Sequence, residues 1–143
     1  SNDLRGVVRG CISIQPNGDL RSKMTVKSPP RYDGVVREEW EWDMPADTLR
    51  NMMVSLQPPM LQKTRHFIPY DGEIWEVDVL PVSPNDLSRC LVLAEFEAPT
   101  YEEVQAVAIP PWVGREVTAL EPFAMANLTT EINREAAWRL AYL

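Results

Sequence analysis

Charged residues at every second position recur along stretches that otherwise read as β-strands: Arg21-Ser22-Lys23, Glu39-Trp40-Glu41-Trp42-Asp43, Lys63-Thr64-Arg65, Glu76-Val77-Asp78 and Glu95-Phe96-Glu97. Successive strand side chains point to opposite faces, so each stretch sets its charges on one face and the intervening residue on the other. One such strand is an ordinary solvated edge. Five in 143 residues, some acidic and some basic, predict an antiparallel sheet curled so that one face is a shared charged interior and the other is packed under helices. Such an interior suits a polyanion, a metal ion, or both together.

The length predicts one domain over residues 1–143 with an adequate core. A net charge of −7 argues against a non-specific nucleic-acid binder, whose footprint is a basic surface. It leaves room for an anion site in which the basic residues are gathered. With no long apolar run and no leader pattern, the chain reads as a cytoplasmic protein without membrane contact. Cys11 and Cys90 then read as reduced thiols, each expected as a small buried hydrophobe. Ser1-Asn2 reads as a tag remnant and carries no structural weight.

Along the chain, Val7–Ile14 and Leu20–Lys27 flank the Asn17-Gly18 turn signal. Ser28–Gly34 is a Pro- and Gly-containing loop, and Val35–Met44 a strand. Pro45-Ala46-Asp47 opens a helix to about Leu56, stopped by Pro58-Pro59. Met60–Pro69 and Glu73–Leu80 form a hairpin across Tyr70-Asp71-Gly72, Pro81–Leu87 is a polar loop, and Cys90–Ala98 is a further strand. Thr100 and Glu103 have capping-box spacing, and a last helix covers about Thr130–Tyr142. Hairpin-linked strands with inserted helices give α+β around an antiparallel sheet. Taken alone, Glu39/Glu41/Asp43 and Lys63/Arg65 are ordinary surface charges; the repeated pattern is what favours a shared interior. His66 reads as a partly exposed packing residue and not a ligand, the methionines at 44, 52, 53 and 60 as helix and core packing, and Trp112 and Gly114 as fixing a loop before Glu116.

The segments Lys63-Thr64-Arg65, Ile68 to Gly72, Trp75 to Val79, Leu91 to Glu97 and Pro111 to Thr118, in this order and spacing, resemble the second half of a CYTH domain, the triphosphate tunnel metalloenzyme family. Upstream, Arg37 to Pro45 resembles that family's acidic strand leading into a helix, and Thr25-Val26-Lys27 its lysine-bearing strand. Arg9-Gly10-Cys11-Ile12-Ser13 is similar to a Gln-Gly-Tyr-Leu-Ser strand with the Gln and Tyr replaced. The resemblance covers roughly residues 4–128. It implies an eight-stranded antiparallel barrel, flanked by helices, whose tunnel holds a small-molecule triphosphate with Mg²⁺ or Mn²⁺.

Carried over by residue, the resemblance makes Arg21, Lys23, Lys27, Arg37, Lys63 and Arg65 phosphate ligands, and Glu39, Glu41, Glu95 and Glu97 metal-side carboxylates. Asp78 and Glu116 would support them, and Lys63, Arg65 and Glu95 would stand in the catalytic group. It is compatible with a homodimer. The family's Glu-x-Glu-x-Lys strand has no counterpart in these residues; it would precede residue 1, come from another chain, or be lost in a domain that binds without cleaving. The family's hairpin turn between Arg21-Ser22-Lys23 and Thr25-Val26-Lys27 is also without counterpart, so on one unbroken strand Arg21, Lys23 and Lys27 would share a face. The implied activity is metal-dependent hydrolysis of inorganic tripolyphosphate, a nucleoside triphosphate or thiamine triphosphate. A non-catalytic polyphosphate-binding module is the alternative, and an adenylyl cyclase a weaker one.

Overall fold

The structure, a computed structural model, describes residues 6–32 and 35–143. Ser1-Asn2, the start of the resemblance at residue 4 and the Asp33-Gly34 end of the first loop lie outside the described residues. The chain forms two compact units, Ser1–Pro58 and Pro59–Leu143. No helix among the described residues is long and apolar enough to cross a membrane.

The first unit is a three-stranded antiparallel sheet in the order β1-β2-β3, with β1 Val7–Ile14, β2 Leu20–Lys27 and β3 Glu39–Asp43. Gly18, at φ 89°, makes the β1–β2 turn in a conformation that favours glycine. β2 is unbroken, and its register sets Arg21 opposite Ser13, Lys23 opposite Cys11 and Lys27 opposite Val7, so the three basic residues share a face. Helix α1 (Ala46–Leu56) packs on β1 and β2. It ends at Gln57 in the left-handed conformation, ahead of Pro58-Pro59. Its Leu49 is buried against the face of Gly10 and Met24, away from the charges. A Cβ on Gly10 would stand 2.6 Å from Leu49 Cδ1. Gly10→Ala is therefore expected to cost about 1–3 kcal/mol through overpacking, seen as a lower urea midpoint at unchanged slope.

The second unit is another antiparallel sheet, β4-β5-β6, with β4 Thr64–Tyr70, β5 Glu73–Ser83 and β6 Asp86–Glu95. Asp71 and Gly72 both have positive φ, 49° and 80°, the turn that matches the twist of a two-residue hairpin. The expected loop Pro81–Leu87 is instead the end of one long hairpin: β5 runs to Ser83, and Pro84-Asn85 turns directly into β6. Pro81 is accommodated at a register irregularity between residues 81 and 83. Helix α2 (Tyr101–Ala106) opens on the Thr100/Glu103 capping box, and α3 (Glu131–Tyr142) on Thr130, whose side chain accepts from the Asn133 N–H. Two short 3-10 turns, Glu121–Phe123 and Met125–Thr129, precede α3.

The fold is thus α+β with antiparallel sheets, but the described residues hold six strands in two three-stranded sheets, not the eight of a closed barrel. Strand alternation stops near Glu97, after which Pro99, Pro110 and Pro111 deprive the backbone of ladder donors. Cys11 is exposed and Cys90 half-buried, both free, so neither is the buried hydrophobe expected. Cys11 stands on the charged face of β1, opposite Lys23. Met60 is exposed too, because β4 begins only at Thr64 and leaves it in irregular chain.

The core of the second unit is Leu80, Leu91 and Leu93 against Phe123, Leu128 and Ala137. Register pairs Asp78 with Leu93 and Leu80 with Leu91, so this core lies on the same sheet face as Asp78 and Glu76. Period-2 alternation assigns a face but not what covers it along its length. β5, about 35 Å long at 3.2–3.4 Å per residue, is charged at one end of that face and apolar at the other. On the opposite face, Trp75 packs on Phe96 and edge-on to Trp112, at centroid distances of 5.5 and 6.3 Å. Arg134 closes the apolar end, donating from Nε to the Val82 carbonyl at 3.0 Å and from Nη1 to that of Leu128 at 2.9 Å.

Candidate active site

The charged end of the second unit is built by three adjacent strands. Lys63, just ahead of β4, and Arg65 on it reach Asp78 on β5, which is only 1% exposed. Arg65 donates from Nε to Asp78 Oδ1 at 2.7 Å and from Nη2 to Oδ2 at 2.8 Å; the Lys63 ammonium donates to Oδ2 as well. The remaining terminal nitrogen of Arg65 is paired with Glu76 Oε2, although that buried oxygen accepts no hydrogen bond. One guanidinium therefore bridges two carboxylates of β5, an arrangement its planar fork permits and an ammonium could not copy.

Glu76 faces Glu95 across the β5–β6 ladder, and Glu97 follows two residues on. One carboxylate oxygen from each lies within 4.8 Å of the others. Burial, then the charges of Glu97, Glu95 and Asp78, push the Glu76 carboxyl above its ordinary range against the pull of Arg65. Burial also pushes Asp78 upward, but the hydrogen bonds and charges of Arg65 and Lys63 outweigh it and hold that carboxyl low. Asp78, chiefly, raises the affinity of Arg65 for its proton. The result is an acidic trio under mutual repulsion beside an ion-paired acid. Three converging carboxylates are hard oxygen donors of the kind that could hold a divalent cation.

The first unit carries its own charged face. Lys23 donates to Glu41 Oε2 at 3.2 Å, Lys27 pairs with Glu39 at 3.0 Å, and the buried Thr25 hydroxyl donates to Glu41 Oε1 at 3.2 Å. Glu41 is held below its usual range, first by the Lys23 hydrogen bond and then by charge from Lys23, with Thr25 and Arg9 adding to it against burial.

Of the residues expected from sequence, the second unit brings together Lys63, Arg65, Asp78, Glu95 and Glu97, and the first brings together Lys23, Lys27, Glu39 and Glu41. Glu39 and Glu41 are each tied to a lysine and are not in the carboxylate trio. Arg21 and Arg37 are exposed, without a side-chain hydrogen bond or ion pair among the described residues. Glu116 lies in irregular chain, accepting from the Thr118 hydroxyl at 3.1 Å. Two residues were missed as site members. Glu76 was legible as half of the Glu76-Val77-Asp78 pair, but only the register with Glu95 shows that it completes the trio. Arg9 stands opposite Thr25 on the charged face of the first unit and had no paired charge to signal it.

No family model matches the chain, and no solved structure matches it. Two curated proteins do: an inorganic triphosphatase of Acetivibrio thermocellus, 32% identical over 96 residues that cover 66% of this chain and 58% of that protein, and an inorganic triphosphatase of Nitrosomonas europaea, 32% identical over 99 residues, 66% of this chain and 59% of that protein. The chain spans about three fifths of the length of the curated relatives it matches. By sequence the chain is thus similar, over about two thirds of its length, to these two inorganic triphosphatases.

Proposed function

We propose that the chain supplies the phosphate-holding and metal-holding groups of a triphosphate hydrolase of the tunnel type, acting on inorganic tripolyphosphate or on a nucleoside or thiamine triphosphate. The observation that carries this reading is the junction of the Lys63/Arg65/Asp78 group with the Glu76/Glu95/Glu97 trio on neighbouring strands. It is supported by the two relatives named as inorganic triphosphatases.

Under this reading Lys63 and Arg65 in the second unit, and Lys23 and Lys27 in the first, each offer positive charge to phosphate oxygens, lysine acting as a point charge and arginine as a fork. Each of them is held by a carboxylate, so the cations are positioned in advance. Glu95, Glu97 and Glu76 would hold Mg²⁺ or Mn²⁺, which would polarise phosphoryl oxygens and make a water more acidic. Arg65, spanning Asp78 and Glu76, ties the phosphate side to the metal side and keeps Glu76 turned toward its partners. Phosphoryl transfer is mostly positioning and charge compensation, so no covalent nucleophile is required of the protein.

The test is phosphate release from tripolyphosphate by the intact protein with Mg²⁺, Mn²⁺ or a chelator. Metal-dependent release that the chelator abolishes is expected. Binding of tripolyphosphate without release would replace hydrolysis with capture, cyclic nucleotide formed from ATP would replace it with cyclisation, and neither binding nor turnover would sink the reading.

A further inference from the structure

We propose that Arg9 is a further ligand for a condensed phosphate, giving its guanidinium to a non-bridging phosphate oxygen on the charged face of the first unit. The inference rests on the triphosphate reading above and adds a residue that the sequence pattern did not mark.

Arg9 sits in the middle of β1 opposite Thr25, the buried residue whose hydroxyl meets Glu41. Alternation places it on the face of Lys23 and Lys27. Those two cations have taken the nearby carboxylates: Lys23 holds Glu41 and Lys27 holds Glu39. Arg9 is close enough to help keep Glu41 charged, yet among the described residues it forms no ion pair with it. Its Nε–H is shut off from solvent and has no hydrogen-bond partner. A buried donor left unmade is costly, and buried donors in folded proteins are nearly always satisfied. Arg9 is thus a half-buried cation with an orphaned donor, one strand away from two neutralised lysines.

What satisfies such a group must be an acceptor carrying negative charge that reaches a strand-lined face already occupied by lysines. A phosphate oxygen has that chemistry and takes arginine in a fork. A second carboxylate would serve too, but those on this face nearest Arg9 are engaged. The geometry also provides a reporter, because Cys11 lies two residues along on the same face, exposed and opposite Lys23.

The experiment compares wild type, Arg9→Gln and Arg9→Lys for calorimetric binding of tripolyphosphate, pyrophosphate and orthophosphate without metal. Alkylation of Cys11 is followed in a Cys90→Ser background. Loss of one charge-assisted hydrogen bond predicts tripolyphosphate binding weakened about tenfold to a hundredfold in Arg9→Gln. Arg9→Lys should recover part of it. Tripolyphosphate should slow Cys11 alkylation in the Cys90→Ser protein and do so less once Arg9 is Gln. Thermal unfolding of Arg9→Gln should be unchanged or improved, since an orphaned donor is removed; a purely structural arginine would give the reverse. Equal binding by wild type and Arg9→Gln overturns the role of Arg9 and leaves the triphosphate reading standing. Absence of tripolyphosphate binding by the wild type and of Cys11 protection in the Cys90→Ser protein also overturns the role of Arg9; the triphosphate reading falls with it only if Mg²⁺ and Mn²⁺ restore neither binding nor turnover.

Discussion

Asp78→Ala is expected to destabilise the second unit by about 3–5 kcal/mol, the range for stripping one partner from a buried ion pair. The carboxylate is 1% exposed and serves two cations at once, Arg65 through two hydrogen bonds at 2.7 and 2.8 Å and Lys63 through a third. Removing it leaves both cations half-buried with Glu76 as the neighbouring counter-charge. Asp78→Asn keeps the shape but aims an amide at donors, and should fall between wild type and Ala. Chemical unfolding followed by tryptophan fluorescence measures both, since Trp75 lies on the same strand; a loss under about 1 kcal/mol for Asp78→Ala would show that the cations find water instead.

The same residue sets a pH dependence. Asp78 has its carboxyl depressed in the folded state, so its contribution is present above the unfolded value near 3.9 and is lost as pH falls through the lower folded value. Wild type should therefore lose stability in strong acid along a slope that Asp78→Ala lacks. Glu76 has the opposite sign: its carboxyl is raised, so its favourable contribution is complete below the unfolded carboxylate value and disappears as pH rises through the folded one.

The alternation of charge along Glu39–Asp43 and across Glu76–Asp78 was enough to place the strands, because side-chain period is a local property of extended chain. Thr100/Glu103 and Asp71-Gly72 were equally legible, since caps and tight turns are written within four residues. Boundaries set by pairing were not. The Pro81–Leu87 stretch read as a loop because Pro81, Pro84 and Asn85 are turn residues, yet only Pro84-Asn85 turn, and the ladder to β6 carries Pro81 past an irregularity. Lys63, Arg65, Glu95 and Glu97 were found from their pattern and the resemblance it supports. Glu76 and Arg9 needed register: the first joins a trio only because β5 sets it opposite Glu95, and the second is singled out only because its neighbours Lys23 and Lys27 have already spent their carboxylates.

Glu76→Gln should separate stability from metal binding. The carboxylate is disfavoured in its folded setting by burial and by Glu97, Glu95 and Asp78, a balance that already includes the opposing pull of Arg65. A neutral isostere removes that penalty, so without metal the variant should unfold at a higher temperature than wild type near neutral pH. Under the metal-holding reading of the trio, the same change withdraws one of three oxygen ligands and should weaken Mn²⁺ by on the order of a hundredfold, at least the effect of losing a supporting partner. A cation that binds only the folded state adds RT ln(1 + [L]/Kd) to stability. Raising Mn²⁺ should then lift the wild-type unfolding temperature past that of Glu76→Gln, so the two curves cross as metal is titrated. Parallel curves with the same Mn²⁺ response would show that Glu76 is not a ligand, and a variant less stable than wild type without metal would show that its pairing with Arg65 outweighs the repulsion of its three acidic neighbours.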